Sequence, residues 1–273
     1  MPEAPDLEVI KEFLNERVQG LTVSRASVLR PTVLRSLAGD MARDMPGRTF
    51  QEFKRRGKFL LAELSEDRHL VINPMLTGRL HHCASSERVA KRTSVVFGLP
   101  DEMDLRYVDD RQMGKVYYAA GAQLGQIPRL DEEGPDVLED TPLEEFRARL
   151  KHFYGEIKGV LTRGSLVSGI GNAYADEVLF AAGIAPFRKS RSLTADEVAA
   201  LHRQCRRVVE EAVVVLRERM DGRIHLKVRD FLKVHNKGGQ PCPHCGGSIT
   251  QLTANQVITS YCRRCQPGTL IKN

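Results

Sequence analysis

Residues 164–186 read GSLVSGIGNAYADEVLFAAGIAP. The organisation of the chain is most easily described starting from this stretch. Gly169, Gly171 and Asn172 come directly before an apolar run that predicts a helix from about Ala173 to Ala182. Glycines before a helix N-terminus expose backbone N–H groups that can hold a phosphate. A tight turn between two helices explains the same glycines equally well, so the stretch alone leaves both interpretations open.

Helices are predicted on both sides of this stretch. Upstream, TPLEEF starts a helix with Thr141 as N-cap, Pro142 at N1 and Glu144 completing a capping box. Downstream, LTADEVAALHRQCRRVVEEAVVVLRERM has Thr194 at the cap and Glu197 at N3. The middle of the chain is therefore predicted to be a helical domain.

Residues 57–118 instead predict strands, with the segments GKFLLAEL, HLVIN, GRLHHC, TSVVFG, DLRYV and KVYYAA. An antiparallel sandwich is the natural arrangement for them. A helix over residues 7–20 precedes the strands, and the acidic LDEEGPDVLED indicates a linker. We predict an α+β multidomain fold with the following divisions: a β-sandwich domain at 1–128, a linker at 129–140, a helical domain at 141–233 and a cysteine-rich module at 234–273.

Positive charge is concentrated in the last fifth of the chain. Residues 221–273 hold eight Lys and Arg and two Asp, a net charge of +6, whereas the preceding 220 residues carry 33 bases and 33 acids. A basic module of this kind is suited to a polyanion, although a solubilising tail explains the same excess. No run of eighteen apolar residues and no signal pattern is present, so we expect a cytoplasmic, nucleoid-associated protein without a membrane span.

Four cysteines lie in this basic module, with the spacing C-x2-C, sixteen residues, C-x2-C. Two such pairs joined by a hairpin bring four sulfurs into a tetrahedron, which is the structural Zn²⁺ arrangement. The segments SITQL and QVITSYC predict the hairpin strands. Two disulfides are the alternative, but they require an oxidising compartment. The predicted ligands of one structural Zn²⁺ are Cys242, Cys245, Cys262 and Cys265; Cys83 and Cys205 receive no role.

Four motifs in order now resemble one family, formamidopyrimidine-DNA glycosylase / endonuclease VIII. MPEAPDLE resembles its opening, and RRGKFLLAEL resembles a strand with a phosphate-binding lysine. GIGNAYADEVLFAAGIAP resembles its helix-two-turn-helix signature, and VHNKGGQPCPHCGGSI…YCRRCQ its zinc finger. The resemblance implies base-excision DNA repair: excision of damaged, oxidised bases from double-stranded DNA, followed by cleavage of the abasic site, by a monomer.

The resemblance also implies the chemistry of the opening residues. Pro2, freed by removal of Met1, would be a secondary amine with a pKa of about 8, so that a useful fraction is nucleophilic near neutral pH. It would attack C1′ of the damaged nucleotide and form a Schiff base that allows β- and δ-elimination. Glu3 would move protons at the sugar, and Lys58 would bind the adjacent phosphate.

Further DNA contacts are implied in the same way. Asn172 matches a phosphate-contacting asparagine, and Arg111 matches the arginine that pairs with the orphaned base. Leu76 and Met113 fall where the family places the other side chains that fill the void left by an extruded base. Lys237, in the basic module, completes the predicted DNA-binding set.

The chain departs from the family pattern at several positions. An arginine expected five residues before Cys262 is Val257, which cannot make a charge-assisted phosphate contact; Gln256, Lys237 or Arg264 would have to compensate. Asp6 stands where the family has a glutamate, and Met113 in DDRQMG stands where it has a phenylalanine. The motif NPMLTG departs from the family pattern at Asn73 and Leu76, and TRGS departs from it just before the signature. The segment after Met220 is short and lacks the longer base-covering loop of many oxidised-purine enzymes.

These departures keep two alternatives open. A DNA-damage-binding protein of the same fold, with weak or absent glycosylase activity, is suggested by Val257 and the altered wedge. The intact Pro2, Glu3 and Lys58 count against it, because a pure binder needs no nucleophile. A zinc-ribbon protein that binds RNA or protein would require the first 220 residues to match the family by chance.

Overall fold

The computed structural model describes residues 1–131, 133–254 and 257–268, which form two compact units. The first contains residues 1–131 and 215–228, and the second contains the described parts of 132–214 and 229–273. Each unit is built from two separate stretches of the chain. The first unit includes residues 215–228, which are the end of the longest helix and the loop after it. The linear divisions at 128, 140 and 233 stay predictions.

Two sheets and a helix build the first unit. One sheet has the strand order β1-β7-β8-β6 and the other β2-β9-β5-β4-β3. The elements are α1 Ala4–Arg17, β1 Arg25–Val28, β2 Leu34–Ser36, α2 Met41–Asp44, β3 Phe50–Arg56, β4 Phe59–Leu64, β5 Arg68–Asn73, β6 Gly78–Ala84, β7 Thr93–Leu99, β8 Met103–Asp109 and β9 Lys115–Ala120. All six predicted strands are confirmed, and three short or irregular ones, β1 to β3, were not predicted.

The sandwich differs from a purely antiparallel one in one pairing. Among the described strands, β2 runs parallel to β9, and every other pairing is antiparallel. Aromatic packing joins the two sheets: Phe50 of β3 stacks on Phe53 at 5.2 Å and meets Phe97 of β7 edge-on at 6.3 Å. Burying each such side chain contributes about 1.5–3 kcal/mol.

Helix α1 begins earlier than predicted, at Ala4 instead of residue 7. Glu3 is its N-cap, and the Asp6 carboxylate accepts a hydrogen bond of 2.8 Å from the Glu3 backbone N–H, as in a reciprocal capping box. Asn15 ties the helix to β3, because its side chain both donates to and accepts from the Phe53 backbone at 2.8 Å. The opening residues are therefore fixed against the sheet.

The second unit contains the helical domain and a hairpin. Its elements are α3 Leu143–Leu150, α4 Ile157–Thr162, α5 Asn172–Ala181, α6 Ala195–Met220, β10 Thr250–Ala254 and β11 Val257–Tyr261, with the last six residues of α6 grouped with the first unit. The predicted capping box of α6 is confirmed: Thr194 and Glu197 exchange backbone-to-side-chain bonds of 2.8 and 3.2 Å. No described helix is long and apolar enough to cross a bilayer.

The predicted cap of α3 is wrong. The helix begins at Leu143 with Pro142 as N-cap, and no side chain caps it. Thr141 lies one residue outside, where its carbonyl accepts a hydrogen bond of 2.7 Å from His202 of α6. Thr141 therefore contacts α6 through its carbonyl and does not cap α3 as the sequence pattern predicted.

Candidate active site and nucleic-acid interface

A cavity of about 180 Å³ opens beside Pro2 in the first unit. Pro2 is partly exposed, whereas Glu3 is only 2% exposed and occupies the N-cap of α1. The lining residues are Pro2, Asp6, Ile10, Leu76, Thr77, Gly78, Arg79, Asp110, Ile224, His225, Leu226 and Lys227. The predicted nucleophile and one predicted void-filling residue thus border the same cavity.

The cavity wall includes a segment to which sequence reasoning gave no role, the loop 221–228 after α6. Ile224 is buried, and the His225 ring lies 4.2 Å from the ring of His81 on β6. Burial, together with the neighbouring His81 and Arg79, lowers the pKa of His225, so the imidazole is neutral near pH 7. From the sequence, this short loop was notable only for lacking the longer segment that covers a flipped base. In the structure it forms part of the cavity wall.

Lys58 lies in the two-residue turn Gly57–Lys58 between β3 and β4, just before the strand that the sequence assigned to it. The preceding Arg55 is nearly buried and pairs with Glu8 of α1 at 2.8 Å. Burial works against the charged form of Glu8, but hydrogen bonds from Lys11 and Arg55 outweigh it and lower the pKa of Glu8. This pair fastens the turn that carries Lys58 to the helix that starts beside Pro2.

The void-filling residues lie on two loops held together by Asp109. This fully buried carboxylate accepts hydrogen bonds from the Thr77 hydroxyl and from the Gly114 N–H at 2.7 Å, and the Arg111 N–H donates to the Thr77 hydroxyl at 2.9 Å. Leu76 and Met113 project with 38% and 41% of their surface exposed. The structure brings the three predicted DNA-reading positions onto joined loops, and their roles stay predictions.

In the second unit, Asn172 is the first residue of α5 and follows Gly169, whose φ of +93° requires glycine. Its amide Nδ2 donates to the Ile258 carbonyl of β11 at 2.9 Å. The donor predicted to contact a phosphate thus joins the helix to the hairpin. Lys237 Nζ donates to the Asp230 carbonyl at 3.0 Å. Phosphate contacts by Asn172 and Lys237 stay predictions.

Buried charges behind Asn172 were not predicted. Lys158 of α4 pairs with Asp176 of α5 at 2.7 Å, and its Nζ also donates to the Ile258 carbonyl at 2.6 Å and to the Thr259 hydroxyl at 2.9 Å. Asp176 further contacts His235 Nδ1 at 2.8 Å. The sequence did contain a sign of these buried charges, because Asp176 and Glu177 are adjacent acidic residues in a largely apolar helix.

Glu177 anchors the chain that leads to the hairpin. Its carboxylate accepts backbone N–H bonds of 2.8–2.9 Å from the three consecutive residues 233–235. Burial raises the pKa of Glu177, and these three bonds offset part of that effect. Helices α4 and α5 therefore position the hairpin through charged groups that have little contact with water.

The four predicted ligands form a cluster in which every sulfur lies within 4.8 Å of the others. Cys242 and Cys265 are 3.8 Å apart, and Cys245 and Cys262 are 3.5 Å apart. These cysteines are free, and the separations are close to the ~3.8 Å edge of a tetrahedral Zn–S site. The alternative of two disulfides is wrong, and the residues fit a metal ion.

Val257, which stands where the family pattern has an arginine, is the first residue of β11. Its side chain is 49% exposed, and Leu252 of β10 is also exposed. Of the suggested replacements, Gln256 lies outside the described residues, and the exposed Arg264 guanidinium approaches the Cys245 carbonyl at 3.5 Å. The described residues at the tip of this hairpin, 252–254 and 257–258, therefore include no charged side chain.

Comparisons with known proteins agree with the sequence motifs. The model of the formamidopyrimidine-DNA glycosylase N-terminal domain matches residues 1–116, and that of the H2TH domain of the same enzyme matches residues 134–221. A formamidopyrimidine-DNA glycosylase from Pelotomaculum thermopropionicum is 33% identical over 97% of this chain and 99% of its own length.

Solved structures give the same result. Lactococcus lactis FPG bound to DNA containing FAPY-dG superposes with a TM-score of 0.89 at 25% identity, covering 97% of this chain and 100% of that one. The complex of the same enzyme with abasic-site DNA gives 0.87, with the same identity and coverage. Because the matches span both units, the hypothesis that the first 220 residues match by chance is wrong.

Proposed function

This chain belongs to the formamidopyrimidine-DNA glycosylase / endonuclease VIII family, and on that premise we propose that it is a bifunctional enzyme of base-excision repair. It removes damaged, oxidised bases from double-stranded DNA and then cleaves the abasic site. The similarity over nearly the whole length to enzymes crystallised on damaged DNA supports the glycosylase, and the residues around Pro2 support the lyase step.

The observation that carries the proposal is the position of Pro2 at a cavity, next to a buried carboxylate. Once Met1 is removed, the Pro2 nitrogen bonds to C1′ while the glycosidic bond breaks, and the base leaves with the bonding electrons and takes up a proton. The Pro2 nitrogen loses its proton, and the C1′–O4′ bond breaks with its electrons going to O4′, which is protonated; the resulting open-chain iminium acidifies the C2′ proton. Loss of that proton expels the 3′ phosphate, and a second elimination expels the 5′ phosphate.

Glu3 is suited to two tasks. As N-cap it holds the start of α1, and as a carboxylate next to the amine it can exchange protons with the opening sugar. Lys58, Asn172 and Lys237 would bind phosphates, and Arg111 with Leu76 and Met113 would fill the gap left by the extruded nucleotide. A Zn²⁺ held by the four cysteines would fix the hairpin and take no part in the chemistry.

Borohydride trapping on DNA with one abasic site tests the proposal. The mature protein, with Met1 shown absent by mass spectrometry, should give a covalent adduct that maps to Pro2, and Pro2→Gly should lose that attachment. Glu3→Gln should bind DNA but excise slowly, because the amide oxygen can still cap α1 while the acid is lost. Glu16→Gln, at an exposed acid on the same helix, is the matched control and should behave as wild type.

The alternative function, a damage-binding protein, is favoured by the exposed Val257. It predicts tight binding to lesion-containing duplexes without an adduct. Intact DNA binding together with no trapping by the Met1-free protein would refute the lyase, and the further absence of base release from lesion-containing duplexes would establish the binder.

A further inference from the structure

A second group of potential metal ligands lies in the first unit, away from the four-cysteine cluster. His81, Cys83 and Glu87 each bring one ligand atom within 4.8 Å of the others. His81 and Cys83 alternate on β6 and so share one face of the strand, while Glu87 follows in the turn after it. His81 Nδ1 lies 3.7 Å from the Glu87 carboxylate.

A candidate for a fourth ligand, outside this group of three, comes from a distant part of the sequence. The ring of His225, in the loop 221–228, lies 4.2 Å from the ring of His81 at an angle of 58°. Because the ring nitrogens of His225 lie outside the group of three, the His225 side chain would have to rotate for both imidazoles to bind one ion. Two imidazoles, one thiolate and one carboxylate are ligands that Zn²⁺ takes in proteins.

The charges of such a site balance. One thiolate and one carboxylate neutralise a divalent cation, and the two imidazoles bind in their neutral form. On binding, the Cys83 thiol gives its proton to solvent and the sulfur bonds to the metal, so no oxidant or reductant is needed. The distances among the ligand atoms of His81, Cys83 and Glu87 leave room for an ion, because the ligand atoms of a tetrahedral zinc site lie roughly 3–4 Å apart.

We propose that His81, Cys83, Glu87 and His225 bind a second zinc-type cation and that this ion fastens the loop 221–228 to β6. Four residues of that loop line the cavity at Pro2. Metal occupancy would therefore set how rigidly one wall of that cavity is held. The proposal concerns binding alone and holds whether or not Pro2 is a nucleophile.

Metal content of the full-length protein, dialysed in Zn²⁺-buffered solution, is the first measurement. Wild type should hold two zinc ions per chain, and His81→Ala, Cys83→Ser and His225→Gln should each hold one. Two controls should keep both ions: His244→Ala, next to the other cluster but outside it, and Cys205→Ser, at an isolated buried cysteine. Circular dichroism verifies that each variant is folded, and His225→Gln, in a loop, serves if a β6 variant is not.

Two further readouts connect the ion to this place. With Co²⁺, Cys83→Ser should remove part of the thiolate charge-transfer absorbance, whereas His244→Ala should leave it unchanged. Zn²⁺ should slow tryptic cleavage after Arg223 and Lys227 in wild type and have no such effect in His81→Ala. One zinc ion per chain in wild type, or two in all three cluster variants, would refute the second metal site. Tryptic cleavage at the same rate with and without Zn²⁺ would refute the proposal that the ion fastens the loop.

Discussion

The Pro2 end of the first unit and the hairpin anchor of the second unit are stabilised in opposite ways. Around Pro2 the chain relies on a helix cap and short loops, and Pro2, Leu76 and Met113 remain partly exposed. At the hairpin anchor, Lys158 and Asp176 are buried and their hydrogen bonds lead to backbone and side chains of β11. The residues proposed to meet a substrate are left accessible, whereas the groups that hold the hairpin in place are withdrawn from water.

Loss of the metal ligand set at the hairpin should have the largest effect. Cys262→Ser removes one thiolate from the cluster, and structural zinc contributes an apparent binding free energy of about 10–16 kcal/mol in small zinc modules. We expect loss of the proposed zinc ion, loss of DNA affinity and rapid proteolysis of the residues after Val234. Metal analysis and a DNA-binding titration measure this.

Cys205→Ser is the control for this prediction, since Cys205 is a buried cysteine outside the cluster and its loss should not change metal content. Undiminished DNA binding by Cys262→Ser would mean that the hairpin needs no metal.

The buried ion pair should be next in size. Among the described residues, Lys158→Met leaves the buried Asp176 carboxylate with His235 and the Ser260 N–H as partners, and breaking such a pair costs about 3–5 kcal/mol. We expect a value near 3 kcal/mol in urea unfolding, because His235 compensates in part. Lys54→Met, at an exposed lysine, should change stability by less than about 1 kcal/mol.

The double variant Lys158→Met/Asp176→Leu sharpens this prediction. With no carboxylate left uncompensated, it should be more stable than Lys158→Met alone. If both variants are equally unstable, packing of the lysine chain matters and its charge does not.

The sequence predicted what local patterns determine. Six strands, the α6 cap and the cysteine cluster depend on alternation, capping residues and spacing, each of which is visible in a short window. Strand β3 escaped prediction because a register shift between Phe50 and Glu52 breaks its alternation. The role of Glu3 as a cap was missed because α1 was predicted to begin three residues later.

The unpredicted parts of the candidate sites depend on contacts between distant residues. Lys158 meets Ile258, one hundred positions away, and His225 meets His81. No spacing rule connects such pairs, since only the folded sheet and helices bring them together. The roles assigned by resemblance to Arg111, Leu76 and Met113 stay predictions; the structure shows only that these residues occupy two loops joined by Asp109.

The loops near the Pro2 end should be sensitive to a single methyl group. In Gly114→Ala the new Cβ would overlap the hydroxyl of buried Tyr107 and lie 2.9 Å from Asp109 Oδ2, so we expect a loss of about 1–3 kcal/mol. Gly159→Ala, in α4 with open space around it, should instead stabilise by up to about 1 kcal/mol. Thermal unfolding of both variants measures the contrast.

A second substitution that restores stability would distinguish steric overlap with Tyr107 from strain in the loop that contains Gly114. Tyr107→Phe removes the overlapping oxygen, which has no hydrogen-bond partner among the described residues, and should be nearly neutral alone. Gly114→Ala/Tyr107→Phe should then recover much of the loss. Failure of the rescue would assign the cost to the Asp109 contacts that join the two loops.

The smallest effect should come from restoring charge at the hairpin tip. Val257→Arg replaces an exposed apolar side chain on a strand that is already fixed by Lys158, so folding stability should change by less than about 0.5 kcal/mol. If the tip faces DNA, the arginine adds one phosphate contact, and the slope of log K against log salt should steepen by about one unit. Val257→Gln, which is polar but uncharged, should leave the slope unchanged. An unchanged slope in both variants would mean that the tip lies away from the backbone, and DNA binding would then depend on the other cations of the basic module.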